Sequence, residues 1–432
     1  MNRKTTRIIF IIFVFIFIIV GITAVFYSLG YRINFKNYKI QKTGGIYIKT
    51  QPKNVIIKIS SQNEFEKIYP DTSSIIQSGT LIQNLLPKIY NVKIDKTSYL
   101  PYYKTLKIEE SLVAELFNIF LIPEKIKVDN FISVRGNIII DSNNNTKFII
   151  QNEKTGIYYL YDINNPEKIL NLSSLYSNTN KSTKIKKITF VPFNPQNFIV
   201  EDSSGLNILD SEHLSITSII KAPLFWGIKN SNIYFIKKSP DIKNPKIILY
   251  SYNLVFQKET AVIQIPKNIL SSTTLAKIKA SDGNDKVAFL DEFNSLYLFN
   301  QSKNSIEKIS ANVTDFDFSQ SNEILAYLNL NGQINILFFK DYNGEITQKA
   351  GDKIEINLSN KELIKSIAWY EDSFHLFVKY PNEIYFTEIN ILSQLNVYKI
   401  LSNVSQLYYN IKNNNLFFIN SGNLQGINFN NL

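Results

Sequence analysis

One pattern dominates the chain from about residue 130 to its last residue: a paired apolar stretch, a polar turn and a second apolar strand. Four copies read ITFVPFNPQNFIV (Ile188 to Val200), VTDFDFSQSNEILAYL (Val313 to Leu328), IKSIAWYEDSFHLFV (Ile364 to Val378) and VSQLYYNIKNNNLFFI (Val404 to Ile419). Each leads through a small polar turn into a strand of alternating apolar residues, such as SSGLNIL (Ser203 to Leu209) or LNGQINILFF (Leu330 to Phe339). Further copies stand at Lys147 to Tyr161 and Lys286 to Phe299, and one with a longer insert at Asn232 to Tyr252. Period-two alternation rich in β-branched and aromatic residues is the mark of half-buried strands.

Seven such units start near residues 145, 184, 222, 277, 312, 364 and 404. Repeats of roughly 40 residues carrying several short strands each predict the blades of a β-propeller, because one blade cannot bury both faces of its sheet alone. The region resembles the TolB-like and WD-repeat propellers, although the Gly-His and Trp-Asp signatures are absent. Six or seven blades fit the spacing, and an array of β-sandwiches is the structural rival. ISVRGNIIID (Ile132 to Asp141) is expected to complete the last blade, and no helix is expected beyond residue 130.

At the other end, Ile8 to Leu29 runs for 22 residues without a charge. As a helix it spans about 33 Å, enough for a hydrocarbon core of about 30 Å. A cleaved signal peptide has a shorter apolar stretch and a small-x-small cleavage site, and Ile22-Thr23-Ala24 is a poor match to one. The expectation is an uncleaved anchor in the lipid bilayer through residues 8–29, flanked by Arg3, Lys4 and Arg7 on one side and by Arg32 and Lys36 on the other. A short basic tail before the anchor favours a cytoplasmic N-terminus, which puts the bulk of the chain outside the cytoplasm at the plasma membrane.

Between anchor and repeats, strand-like alternation appears at Ile46/Ile48 and Val55/Ile57/Ile59, with Pro52 at the turn between them, and again at Ile89, Val92 and Ile94. VAELFNIFLIP (Val113 to Pro123) reads as a strand or, from the spacing of Leu112, Val113, Leu116, Phe117 and Phe120, as a helix. The stretch from about Gly44 to Pro123 resembles the PEGA domain, a small β-sandwich of prokaryotic envelope proteins. The opening GxIxIxTxP (Gly45 to Pro52), the L-x-x-I-Y-x-V-x-I of Leu86 to Ile94, the aromatic Tyr99 and the closing Leu121-Ile122-Pro123 carry that resemblance. Where the family has Pro-Glu-Gly-Ala, this chain has Pro52-Lys53-Asn54-Val55, so a left-handed glycine turn is not expected there. The resemblance implies that Val113 to Pro123 is a strand, and it implies surface attachment or scaffolding.

The organisation expected is thus all-β after the anchor: residues 1–30 tail and transmembrane helix, 31–43 connector, 44–125 PEGA-like β-sandwich, 126–432 β-propeller. Asn and Lys are frequent throughout, and single ones carry little weight.

Chemistry is sparse. The chain has no Cys, which removes thiolate catalysis, disulfides and thiolate metal sites. His213 and His375 fall in different repeats, a turn and a presumed inner strand, and packing or solvation explains both. Paired acids such as Glu201-Asp202, Asp291-Glu292 and Glu371-Asp372 stand at strand ends, where local backbone hydrogen bonds favour them. Asp282-Gly283-Asn284-Asp285 only faintly suggests calcium, lacking the spacing of a helix–loop–helix site. No catalytic, cofactor or metal residue is expected.

The net charge of +11 lies mostly near the anchor: +3 over residues 1–30, +6 over 31–130 and +2 over 131–432. Anionic headgroups or wall polymers suit that distribution better than nucleic acid, for which no basic helix or Arg cluster is present. The sequence predicts a non-enzymatic, membrane-anchored binding or scaffolding protein of the cell envelope. Its partner is an envelope protein or a cell-wall glycan, met through Tyr99, Tyr102, Tyr103 and Trp226 as candidate aromatic contacts. The rival functions are a propeller-type polysaccharide hydrolase or lyase, or an accessory subunit of an envelope assembly or transport complex.

Overall fold

The structure is a computed structural model of the 432-residue chain. It describes residues 3–34, 38–61, 66–71, 79–179, 184–239, 241, 246–266, 275–283 and 285–432. The chain divides into two compact units: residues 1–125 with 343–347 and 390–396, and the remainder from 126 to 432.

The first unit opens with a helix, Arg3–Ser28. Its apolar length, Arg7–Ser28, is long and apolar enough to cross a membrane, and none of it is buried. The same features serve a signal sequence. After a two-stranded ribbon, Tyr31–Asn34 against Lys39–Lys42, the chain forms two sheets. One orders Thr80–Leu85, Gly44–Gln51 and Val113–Phe120, the last pair parallel. The other is an antiparallel run of Lys67–Pro70, Ile56–Ser60, Ile89–Asp95 and Tyr102–Lys107. Alternate residues of both sheets, among them Ile46, Ile48, Ile57, Ile59, Val92, Ile94 and Leu116, meet in one core. Val113–Phe120 is a strand paired parallel to Gly44–Gln51, with Leu116 and, across a register shift, Ile119 in that core while Glu115 faces out. At the Pro52-Lys53-Asn54 turn, Asn54 takes φ +61°. The left-handed position therefore exists without glycine, because asparagine enters that region at small cost.

The short later stretches of this unit are held by specific bonds. The buried Lys104 Nζ donates to the Asn390 carbonyl at 2.8 Å. The Asn396 side chain exchanges two hydrogen bonds with the Tyr103 backbone, at 3.0 and 2.9 Å. Glu345 Oε1 accepts from the Phe117 and Asn118 amides at 2.8 and 2.7 Å.

The second unit holds, among the described residues, seven four-stranded antiparallel sheets. Six are simple up-and-down meanders whose first strands are Ile138–Asn143, Lys187–Val191, Phe225–Lys229, Leu275–Ala280, Val313–Phe318 and Ser366–Trp369. The seventh begins with Tyr408–Asn410 and continues through Asn415–Asn420 and Asn423–Asn428; its fourth strand, Asp129–Ser133, comes from the start of the unit. This arrangement, in which the two ends of a repeat array share one sheet, is that of a β-propeller. It also corrects the expected closing strand. Ile132 to Asp141 is not one element: its first residues close the seventh sheet and Ile138–Asn143 opens the first. A second correction is the helix Leu172–Thr179, which links the first and second sheets. Asn171 Oδ1 caps it by accepting from the Ser174 amide at 3.0 Å, a signal that the NLSS run already carried.

Candidate functional site

Each first strand of the second unit carries its distinctive residue in one layer. Counting register from the first pairing of the second and third strands, the third pair faces Asp141, Thr189, Gly227, Lys279, Asp317, Ala368 and Tyr408 in sheets one to seven. Two residues further along come Lys187, Lys277 and Asp315. Residues two apart on a strand share a face, so Lys-x-Lys in AKIKA and Asp-x-Asp in TDFDF each present a pair of like charges on one side.

These side chains join successive sheets. Asp141 accepts from the Thr189 hydroxyl and, at 3.0 Å, from the Phe190 amide. Lys187 Nζ donates to the Trp226 carbonyl at 3.1 Å. Gly227 lets the third sheet approach the fourth, since a Cβ there would lie 2.7 Å from the Ile278 carbonyl oxygen. Lys277 pairs with Asp315, and Lys279 with Asp317 at 2.7 Å. The second oxygens of the same carboxylates accept from the Ile367 amide at 2.9 Å and the Trp369 amide at 3.1 Å. Asn414 donates to the Tyr370 hydroxyl at 3.0 Å. Finally, Gln406 exchanges bonds of 2.7 and 2.6 Å with the Ile139 backbone, and Tyr408 reaches Ser142 at 3.1 Å. The bonds run from the first sheet round to the first again.

Electrostatics splits this layer. Burial pushes the Asp141 carboxyl upward, outweighing the hydrogen bonds it receives. For Asp317 burial acts in the same sense, but Lys279 and Lys277 overcome it and the net shift is downward. Lys279 is correspondingly raised, its burial overcome by Asp317 and Asp315. Lys277 is lowered by burial, with Lys279 beside it. Opposite charges decide the sign at Asp317 and Lys279, and burial decides it at Asp141 and Lys277.

The strand-end acids fold their own turns, as expected of such positions. Asp202 Oδ1 accepts from the Ser204 and Gly205 amides, and its other oxygen from Tyr176 at 2.7 Å. Asp291 accepts from the Phe293 and Ser295 amides. Asp372 accepts from the Phe374 and His375 amides and meets His375 Nδ1 at 2.6 Å. His375 is buried against the Phe386 ring, and His213 sits exposed beside Asp210. Asp282 pairs with Lys229 at 2.6 Å and Asp285 with Lys286; Asn284 lies outside the described residues. The lysines already occupy the carboxylates that a cation would need.

The aromatic candidates separate. Tyr102 is 1% exposed and belongs to the core of the first unit, and Trp226 is equally buried, its indole N–H donating to Glu201. Neither presents a ring face to a partner, because cross-strand packing consumes both. Tyr103 is partly exposed under Lys93, and Tyr99 bridges to Pro123 with Lys96 over its ring. Arg32 stacks on Tyr27 at 3.4 Å and donates to its carbonyl and to Asn84. Arg7 is exposed; the side chains of Arg3 and Lys4 and all of Lys36 lie outside the described residues.

Sequence reading missed two residues at one end of the second sheet. Phe193, in the turn between its first two strands, is 79% exposed at φ +65°; Leu214, between its last two, is 56% exposed at φ +52°. Among the described residues more than half of the non-glycine positive-φ positions are asparagine. A bulky apolar residue there is a costly choice, and outliers of this kind concentrate where a surface has work to perform. Lys412 Nζ lies 5.5 Å from the centre of the Phe193 ring.

No family model matches the chain, and no curated protein matches it. Several solved structures are similar to it in fold. An oligogalacturonate lyase from Vibrio parahaemolyticus shares 12% identity, with 70% of this chain and 93% of that one covered at a TM-score of 0.46. The Cps50 (Swd1) β-propeller domain of Myceliophteria thermophila shares 9%, with 70% and 99% covered at 0.46. An oligogalacturonate lyase in complex with manganese shares 12%, with 71% and 91% covered at 0.43. At these identities the likeness extends to the fold and no further. Two of these neighbours are named as enzymes, and the expectation of a non-enzymatic chain is not carried forward.

Proposed function

We propose that this chain is a membrane-anchored extracytoplasmic binding protein of the prokaryotic cell envelope. In this reading residues 1–30 are tail and anchor, 31–43 a connector, 44–125 a PEGA-like sandwich and 126–432 a seven-bladed propeller. Arg3, Lys4, Arg7, Arg32 and Lys36 flank the bilayer, and the propeller presents an envelope protein with a rigid face. The observation that carries it is the pair Phe193 and Leu214, apolar, exposed and held in left-handed turns at one end of a sheet. Sheets bonded to their neighbours all round hold such tips still, which lowers the ordering cost of binding. The apolar character of the tips favours a protein partner over a glycan at this place.

Substitution separates the reading from simple tolerance of bad turns. Phe193→Asn, placing a residue suited to φ +65°, is expected to stabilise the chain by about 0.5–1 kcal/mol in thermal unfolding. The same variant, combined with Leu214→Asn, is expected to lose capture of envelope membrane proteins by the full chain in nanodiscs. Capture undiminished in the double variant would remove the proposal's support.

A further inference from the structure

The third residue pair of each sheet in the second unit is apolar, with one exception. Ile149 faces Leu160, Ile199 faces Ile208, Ala288 faces Leu298, Ala326 faces Ile336, Phe377 faces Phe386, and Phe417 faces Gly426. In the third sheet the pair is Tyr234 and Ser251. The first pair of that sheet is also polar, Asn232 facing Asn253, and Asn253 faces Lys258 on the fourth strand. Residues two apart share a face, so one side of the third sheet carries a continuous polar patch beside Phe299 of the fourth sheet.

The patch lines a groove of about 670 Å³, within the range of small-molecule sites. Its floor is Tyr234 and Phe299, both buried, the former 6% exposed. Among the described residues no hydrogen bond involves the Tyr234 hydroxyl, and burial of the ring, with Asp285 nearby, pushes its pKa up to about 12. The hydroxyl is not shut away from solvent, so it is open to a hydrogen bond from a ligand in the groove. Asn232 accepts from Asn253 at 2.9 Å and keeps its own amide donors for another group. At the lip, Oδ1 of the Asn253 side chain accepts from the Val255 and Phe256 amides and fixes a turn in which Phe256 stands 80% exposed.

We infer that this groove between the third and fourth sheets is a saccharide-binding subsite. A pyranose has an apolar face, suited to an aromatic lip, and a rim of hydroxyls, suited to the Tyr234 and Ser251 hydroxyls and the Asn232 amide. Among the described residues no carboxylate lines the groove and Lys258 is the one charge, which fits neutral or anionic sugars and disfavours cations. The inference goes beyond the binding role above and does not depend on Phe193 or Leu214.

The test titrates the full chain in nanodiscs with neutral N-acetylglucosamine oligomers and with uronic-acid oligomers, read by calorimetry. Binding of at least one series is expected, weakened about tenfold by Tyr234→Phe and similarly by Phe256→Ala. Tyr234→Phe keeps the packing and removes only the hydroxyl, so its thermal midpoint without sugar is expected to stay close to that of the parent. No binding of either series, or Tyr234→Phe binding as tightly as the parent, overturns the inference. Capture of membrane proteins in the same preparation would show the proposed function standing while this site falls.

Discussion

Asp141 and Asp317 stand in the same layer of the propeller, on the first strands of sheets one and five, yet their carboxyls shift in opposite directions. Asp141 is held by the Thr189 and Tyr408 hydroxyls and by amides; Asp317 is held by Lys279. Burial raises both, and only a cation reverses it. One sector of the ring is therefore joined by ion pairs and the other by neutral donors. Each sector should answer differently to the loss of charge.

The largest effect is expected at Asp315, which accepts from Lys277 and from the Ile367 amide of the next sheet. Asp315→Ala leaves Lys277 and Lys279 sharing the one carboxylate of Asp317 and should cost about 3 kcal/mol in urea unfolding. A cost near zero would show that the ion pairs do not hold these sheets together.

Asp317→Asn should cost less, about 2 kcal/mol at pH 7, because Lys279 is partly exposed and solvent screens part of the pair. The pH sign follows from the lowered pKa. Asp317 contributes stability above its unfolded value of about 3.9, and that contribution is lost as pH falls through the folded value. Parent and variant should thus converge below pH ~4. A gap that stays constant with pH would contradict the assigned pairing.

Asp141→Asn should change stability by less than about 1 kcal/mol, since relieving the burial of a charge offsets part of the hydrogen bonding lost. With its folded pKa raised, Asp141 contributes stability that is complete below about pH 3.9 and declines as pH rises through the folded value. The variant should lack that decline, and a measured loss as large as that of Asp317→Asn would end the contrast.

Much of the propeller is legible from sequence because strand alternation is a local signal. VTDFDF and ILAYL became strands Val313–Phe318 and Ile324–Asn329 where the apolar spacing put them. The charged layer was equally present as Lys-x-Lys and Asp-x-Asp, but which strands would be neighbours depends on closure by a strand more than 280 residues away in sequence, Asp129–Ser133 against Asn423–Asn428, where Ser133 faces Asn423. Helix Leu172–Thr179 escaped because eight residues give too little periodicity, and its cap Asn171 looked like one asparagine among many. The same discounting hid the turns: asparagines such as Asn54, Asn230 and Asn322 take the left-handed positions for which a chain with 15 glycines has few alternatives. Exposure is what local pattern conveys least, so Tyr102 and Trp226 were chosen as contacts and lie buried, while Phe193 and Tyr234 passed unnoticed.

Which side of the membrane the propeller lies on can be read directly, because the chain contains no cysteine to confuse the label. A single Lys303→Cys, at an exposed turn of the fourth sheet, is treated in intact cells with a membrane-impermeant maleimide, beside a Thr6→Cys control. Full labelling at 303 before lysis, with position 6 reacting only after permeabilisation, is the predicted result. Labelling at 303 only after permeabilisation would put the propeller in the cytosol and contradict the account.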